Sequence, residues 1–495
     1  MGKLRIFLFF LTLKLLSVFV VKTSFVPDEY WQSLEVAHKL AFGYGHLTWE
    51  WTEGIRSYIY PAIIAALYKA LEFFGLDSRE ALILTPRIFQ AILSSVGDYY
   101  FWKWVSVQTD TKGNWAVVTI ATSWFWFYCG SRTIINAVEM VLTVFALYSF
   151  PWSENDAKVG RAKFLLPVGL ACVMRPTAFV VWLPFCIYHL ARASSKSSTI
   201  LKSYLPIGAF CIGLSTLVDS YFYGKLTFTP WNFFVKNVYN GIGAFYGIHG
   251  LYWYVFCGLP VILGVHFIPF LYKTWEVVKN KGPAIESVLL FDIAWTTFLF
   301  SLLSHKEFRF ILPVLPMALY ISCRCLSKWS GPAKNSWLWA VGAALLVGNA
   351  VPAVYFGYYH QRGTVDVMDY LAKEAHNSHP KPNFLFLMPC HSTPLYSHLH
   401  VEVPIKFLTC EPDFSSKPGY MDEADLFYLG PLTWINKAYP PNSSLPSHIV
   451  MFDVLQPHLQ GFLNAHGYTP AAKFFHAHFT EGRVGENVVV LTQSA

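Results

Sequence analysis

Long stretches without a single Lys, Arg, Asp or Glu set the limits on what this chain can fold into. None occurs between Lys236 and Lys273, between Arg175 and Arg192, or between Lys334 and Arg362. A helix needs about 20 mostly apolar residues to cross the hydrocarbon of a bilayer, and these gaps supply them. Only 14% of the 495 residues are charged, against 54% hydrophobic and 18% aromatic, which is the wrong balance for a set of soluble domains. The expected fold is a polytopic α-helical membrane protein.

The formal charge of +7 is spread over short loops and forms no basic patch, so no nucleic-acid partner is expected. Residues 4–21 follow a basic start at Lys3 and Arg5 and read as an uncleaved signal anchor with a cytosolic N terminus. Further apolar candidates run near 58–75, 82–105, 114–129, 133–150, 164–175, 177–192, 203–220, 250–272, 285–303, 310–327 and 336–358. Lys and Arg in short loops are retained on the cytosolic side. The basic loops are 158–163, 192–202, 273–281 (Lys273, Lys279, Lys281) and 324–334 (Arg324, Lys328, Lys334). They alternate with the Arg175 bend, the 221–249 loop and the 304–309 loop, which therefore share the lumenal side with 359–495. Twelve full crossings would return the C-terminal stretch to the cytosol, so one weak segment between 58 and 150 is expected to be re-entrant or interfacial.

Two parts are extramembrane on this reading: a first lumenal loop, 22–57, and residues 359–495. In the latter, short β-like runs at 383–387, 447–452 and 487–491 alternate with Pro and Ser clusters, as in a small α/β domain. The domains expected are thus a transmembrane module over 1–358 and a lumenal C-terminal domain over 359–495. Cys390 and Cys410 fall in the soluble stretch, where a disulfide suits an oxidising lumen. Asn442-Ser443-Ser444 is a glycosylation sequon.

The first loop holds Asp28, Glu29, Glu35, Glu50 and Glu53 among Trp31, Trp49 and Trp51. Carboxylates interleaved with aromatic faces suit a sugar, and Asp28 and Glu29 lie where a lipid-borne head group is presented. The bland reading is that Asp28 caps a helix starting near Glu29. His305-Lys306-Glu307-Phe308-Arg309 places four ionisable groups between two apolar segments, and such a cluster near lipid is usually functional or paired. Lys306 and Arg309 suit a phosphate; the alternative is an interfacial turn whose cations reach water. Arg175-Pro176 breaks a long apolar run. For Arg175 a phosphate contact and an ion pair with Glu139 or Asp98 both fit, and Arg132 raises the same question. His391, His398, His400, His476 and His478 lack an acid-rich companion that would fix a metal geometry and read as surface residues.

The run Phe25-Val26-Pro27-Asp28-Glu29-Tyr30-Trp31-Gln32, the later Tyr44-Gly45-His46-Leu47-Thr48-Trp49-Glu50-Trp51, and His305-Lys306-Glu307-Phe308-Arg309-Phe310 together resemble the signatures of the glycosyltransferase family 22 membrane mannosyltransferases. The first loop is most similar to that of members acting on GPI-anchor precursors. The resemblance implies a GT-C fold, an endoplasmic-reticulum membrane location, dolichol-phosphate-mannose as donor, and a GPI glycolipid carrying two mannoses as acceptor, which would receive an α1,2-linked third. It places catalysis on Asp28, with Glu29 beside it. Donor phosphate would fall to His305, Lys306, Glu307 and Arg309, with Arg175 and Arg132 carried over on context alone. Converting a β-linked mannosyl phosphate to an α-linkage inverts C1, so a single base suffices. The chain has no Asp-x-Asp pair, and no metal or other cofactor is expected. Competing readings are a sibling mannosyltransferase of N-glycan precursor assembly and, from another class, a polytopic transporter. The latter predicts paired repeats that the sequence does not display.

Overall fold

The structure, a computed structural model, describes residues 2–108, 114–280, 282–330, 335–414 and 419–493; the loop residues Lys281 and Lys334 lie outside these. The chain divides into two compact units, one formed by Met1–Phe19, Glu50–Tyr60 and Arg87–Ala353, the other by Val20–Trp49, Pro61–Pro86 and Val354–Ala495.

The first unit is helical. Lys196–Tyr223, Tyr254–Asn280, Ala284–Ser301 and Phe308–Ser330, of 28, 27, 18 and 23 residues, are long and apolar enough to cross a membrane, and so is a fifth helix beginning at Trp339. This makes the chain a multi-pass membrane protein. Where the apolar pattern is interrupted, local chemistry bends the backbone. Pro176 disfavours a helical residue before it, and Arg175 is extended (φ −142°, ψ 98°) between helices Leu165–Met174 and Ala178–Arg192. The candidate 114–129 is split into Asn114–Ala121 and Trp124–Cys129. At the break, the Thr122 hydroxyl donates back to the Val118 carbonyl (2.7 Å) and Ser123 is extended. Inside this unit Lys14 and Asp98 form a fully buried ion pair at 3.4 Å. Trp126 completes it, donating Nε1–H to Asp98 (2.6 Å) and accepting from Lys14 at its carbonyl (3.1 Å). Removing one member of such a pair strands a charge, at a cost of about 3–5 kcal/mol.

The second unit contains a five-stranded sheet: β1 (Phe384–Leu387), β2 (Ile405–Phe407), β3 (His448–Phe452), β4 (Tyr468–Phe475) and β5 (Asn487–Gln493), in the order β2-β1-β3-β5-β4. β1 pairs in parallel with β2 and β3, and β5 runs antiparallel to β3 and β4. The three β-like runs of the sequence are its three central strands. β1 and β3 are buried at every position, which is why they read as unbroken apolar runs. Leu385, Ile449, Met451 and Leu491 pack on one face with Phe427, Ile435, Leu459 and Phe462 of the helices Glu423–Leu429, Pro431–Ala438 and Gln456–Ala465.

In this unit the first loop and the residues at 77–79 are bonded to the same C-terminal stretch. Loop 22–49 is tied to the C-terminal stretch by Lys22 N–H to the Gly357 carbonyl (2.7 Å), Ser24 N–H to that of Gln361 (3.0 Å), and Trp31 Nε1–H to that of Thr393 (3.1 Å). Beyond helix Ile59–Phe73, the turn at 77–79 is tied to that same stretch. Arg79 pairs with Asp369 at 2.5 Å and donates to the His398 carbonyl, and Asp77 faces His400 at 3.8 Å. Residues 22–49 and 77–79 thus share one unit with the C-terminal stretch, and on this ground 58–75, with Tyr60, Lys69 and Glu72 along it, is the weak segment expected to lie along the interface. Single cysteines at Lys39→Cys and Ser78→Cys, read against the unsubstituted chain, are expected to label from the same face of sealed vesicles with an impermeant maleimide. Labelling from opposite faces would restore 58–75 as a crossing.

Candidate active site

Asp28 and Glu29 occupy the first turn of a helix that opens at Pro27, whose carbonyl accepts from the N–H groups of Tyr30 and Trp31, both at 3.0 Å. Asp28 is thus inside the turn and not at the cap that the sequence allowed. Acids in a first turn meet the positive end of the helix dipole. The structure separates the two carboxylates by environment: Glu29 is buried, 3% exposed, whereas Asp28 is half-buried. Its helix continues through Tyr30–Leu34 into Glu35–Phe42 and is fastened by Glu35. The fully buried Glu35 Oε1 accepts from Leu395 N–H (2.8 Å), Ser397 N–H (3.1 Å) and the Ser397 hydroxyl (2.5 Å). Burial pushes this carboxyl above its ordinary range, with the three donors opposing.

In the first unit, loop 302–309 gathers the cations expected from the sequence. Glu307 accepts from Arg309 Nε (2.7 Å) and Nη2 (2.5 Å) and lies 3.0 Å from His305 Nε2. Arg175 is in ion-pair contact with Glu139 at 2.9 Å, while Asp98 is taken by Lys14. The guanidinium groups of Arg175 and Arg309 share the ring of Phe310, 5.2 and 5.4 Å from its centre. Asn136 donates to the Arg309 carbonyl (2.9 Å), joining helix Ile135–Ser149 to this loop. Arg132, 1% exposed, lies over the Tyr128 ring at 4.2 Å. Lys306, 2% exposed, has no carboxylate partner among the described residues; its Nζ donates to the carbonyls of His249 (2.9 Å) and Leu303 (2.5 Å). Burial lowers the Lys306 ammonium from its usual range. An ammonium held by carbonyls can exchange them for an anion.

The histidines depart from the surface placement read from the sequence. His398 and His476 are each 4% exposed, and His400 Nδ1 faces His38 Nε2 at 3.1 Å. Only His478 of the five is exposed. His391, His398 and His400 are covered because residues 391–400 pack on helix Tyr30–Phe42, a pairing across more than 350 residues of sequence that local pattern does not reveal, and His476 is covered by the Phe452 ring at 4.9 Å. Cys390 and Cys410 form the expected disulfide, which lies beside His391. Glu35, Asn136, Tyr254 (whose hydroxyl meets the Glu307 backbone at 3.3 Å) and His391 are further residues of these two centres. Of these, only the density of acids in loop 22–57 offered a sequence signal.

Two measurements test these supports. Glu35→Ala strands three donors and is expected to cost about 2–4 kcal/mol. Glu35→Gln keeps an acceptor oxygen and should cost less than about 1 kcal/mol, read from thermal unfolding in detergent; equal losses would show that the carboxylate is not the fastener. Burial raises the Glu307 carboxyl, but Arg309 and His305 more than reverse this and hold it at about 2. A carboxylate favoured by folding contributes fully above its ordinary pKa of 4.5, and that contribution is lost as pH falls toward about 2. Glu307→Gln should therefore lower the thermal midpoint at pH 7, and the gap from the parent should narrow between about pH 5 and pH 3. A gap independent of pH would refute the assignment.

The profile of the Alg9-like mannosyltransferase family matches residues 5–400. The chain is 46% identical to GPI mannosyltransferase 3 of Drosophila melanogaster, over 94% of this chain and 82% of that one. It is 43% identical to GPI alpha-1,2-mannosyltransferase 3 of Danio rerio (99% and 90%) and 41% identical to that of Homo sapiens (98% and 86%). Among solved structures, ArnT from Cupriavidus metallidurans bound to undecaprenyl phosphate superposes with a TM-score of 0.61 at 12% identity, over 99% of this chain and 98% of that one. That likeness shows the fold, the GT-C fold of membrane glycosyltransferases. The protein matches the family over most of its length and shares that fold, and it belongs to the Alg9-like mannosyltransferase family of membrane glycosyltransferases.

Proposed function

We propose that this chain transfers the third, α1,2-linked mannose from dolichol-phosphate-mannose to a dimannosyl GPI glycolipid at the endoplasmic-reticulum membrane. The observation that carries the reading is the near-full-length likeness to proteins named for that transfer, joined to an acidic first-loop turn and a cationic loop whose buried Lys306 is held by carbonyls. Asp28 is the base: half-buried, it can meet a hydroxyl, whereas Glu29 is enclosed. As the acceptor oxygen attacks C1 from the face opposite the phosphate, Asp28 takes its proton, and the C1–O bond to dolichyl phosphate breaks with inversion. Charge grows on the departing oxygen. Lys306 and Arg309, with Arg175 and Arg132 as further cations and His305 and Glu307 ordering the loop, would stabilise it. These cations are side chains, so no metal is invoked.

A lumenal placement of the first loop and C-terminal domain is supported by two features that belong to an oxidising, glycosylating compartment: the Cys390–Cys410 disulfide, and the exposed Asn442 in its sequon. The test is complementation of cells lacking the third GPI mannosylation, scored by surface GPI-anchored protein. The parent chain is expected to restore it and Asp28→Asn to abolish it at equal expression. A well-expressed parent that fails to restore it would overturn the acceptor assignment, and an active Asp28→Asn would move the base elsewhere.

A further inference from the structure

Asp28 lies in a turn closed between Pro27 and Trp31, since the Trp31 N–H bonds the Pro27 carbonyl. Whatever fixes Trp31 therefore fixes Asp28. Trp31 is held by its Nε1–H on the Thr393 carbonyl at 3.1 Å, by its ring against the imidazole of His391, with centres 4.6 Å apart and planes at 51°, and by the Phe407 ring at 5.3 Å. His391 is itself held in an unusual way. Its φ is +60°, the left-handed region that a side chain other than Gly, Asn or Asp seldom adopts. The residue before it, Cys390, is bonded to Cys410, and Ser392 N–H closes a turn onto the Pro389 carbonyl at 3.2 Å. Its Nδ1 sits 3.8 Å from Cys410 Sγ. Non-glycine residues in this conformation persist where the surroundings over-determine them, and they cluster at functional sites.

We propose that His391 is a positioning residue for Asp28: a rigidly held imidazole that, through Trp31, orients the carboxylate. This rests on the reading of Asp28 as base. Asp28 is the charge that acts on His391, and burial nevertheless keeps the imidazole down at about 4. At neutral pH the ring is therefore uncharged. That state suits the task, because an uncharged ring packed on Trp31 steadies the turn without placing a full cation in the protein interior. The disulfide next to His391 then has a purpose beyond stability, since it holds the histidine in the conformation the base requires.

The test uses the full-length protein in detergent with dolichol-phosphate-mannose and the dimannosyl GPI lipid. His391→Phe keeps a ring against Trp31 but removes the imidazole nitrogens that face Cys410. It is expected to lower kcat about 10- to 100-fold with donor KM changed less than about twofold. His391→Gln, which restores an N–H donor, is expected to recover kcat to within about fivefold of the parent. His391→Phe with parental thermal midpoint and parental kcat, or with its loss confined to KM, would overturn the proposal, as would a folded His391→Gln no better than His391→Phe. Asp28→Asn distinguishes the two levels of the argument. If it retains transfer, the base reading fails and this one with it; if it is inactive while His391→Phe is fully active, only the positioning role fails. Should His391→Phe not accumulate, the double variant Cys390→Ser/Cys410→Ser loosens the same loop: a fall in kcat at unchanged KM supports the proposal, and an unchanged kcat overturns it.

Discussion

Two guanidinium groups, Arg175 and Arg309, lean on one ring, Phe310, and each is in contact with a carboxylate, Glu139 or Glu307. The rest of the first unit's chemistry depends on this arrangement. Cations in a largely apolar helical unit are tolerated only when neutralised or satisfied, and here the neutralising acids come from a neighbouring helix and from the cationic loop itself. The break at Arg175-Pro176 then has a structural reason, because an unbroken helix would not leave Arg175 extended at a helix end beside Glu139. Lys306 differs from its neighbours in being satisfied by carbonyl dipoles, which offset an ammonium less completely than a carboxylate does. A phosphate would add what those dipoles lack.

The second unit solves a different problem. Its helix at 28–42 must be held firmly enough to aim a short side chain, and the fastening comes from a buried carboxylate. Glu35 gathers two backbone N–H groups and a hydroxyl from residues 395–397, which is the acceptor-rich end of a carboxylate used as a cap for a distant turn. Trp31 adds a second point of attachment one helical turn earlier. Two points separated by a turn fix both the position and the rotation of a helix, so the direction in which Asp28 projects is determined by residues more than 350 positions away.

What was legible in the sequence follows from the range of the interactions involved. Apolar runs at 383–387, 447–452 and 487–491 became the central strands because complete burial leaves an unbroken hydrophobic signature. The edge strands β2 and β4 left none: β2 is three residues long, and β4 carries Pro470 at a register shift and alternates in exposure. The motif at 305–309 was legible as a cluster because its partners are two residues apart. The pairing of Arg175 with Glu139, and not with Asp98, was left open by the sequence and settled by the helix packing. Parity of crossings required one segment in 58–150 to stay out of the bilayer, but hydropathy did not say which. The helix Ile59–Phe73 is apolar on average, and what singles it out is that Asp77 and Arg79 are bonded to the same unit as loop 22–49.

The two centres divide the proposed chemistry along lines that inversion itself requires. A single displacement at C1 needs a proton acceptor for the incoming oxygen and stabilisation for the outgoing one, on opposite faces of the sugar. No group has to serve both ends, so the acid and the cations can be built on separate scaffolds with separate means of support. This also bears on the choice between the adjacent acids. Glu29 is one residue from Asp28 and chemically its equal, but at 3% exposure it is committed to the packing of the helix. A base must give up part of its solvation to the substrate and recover it afterwards, which an enclosed carboxylate is not free to do. Asp28, in the first turn and half-buried, keeps that freedom, and the rigid Trp31–His391 contact behind it limits how far it can be used.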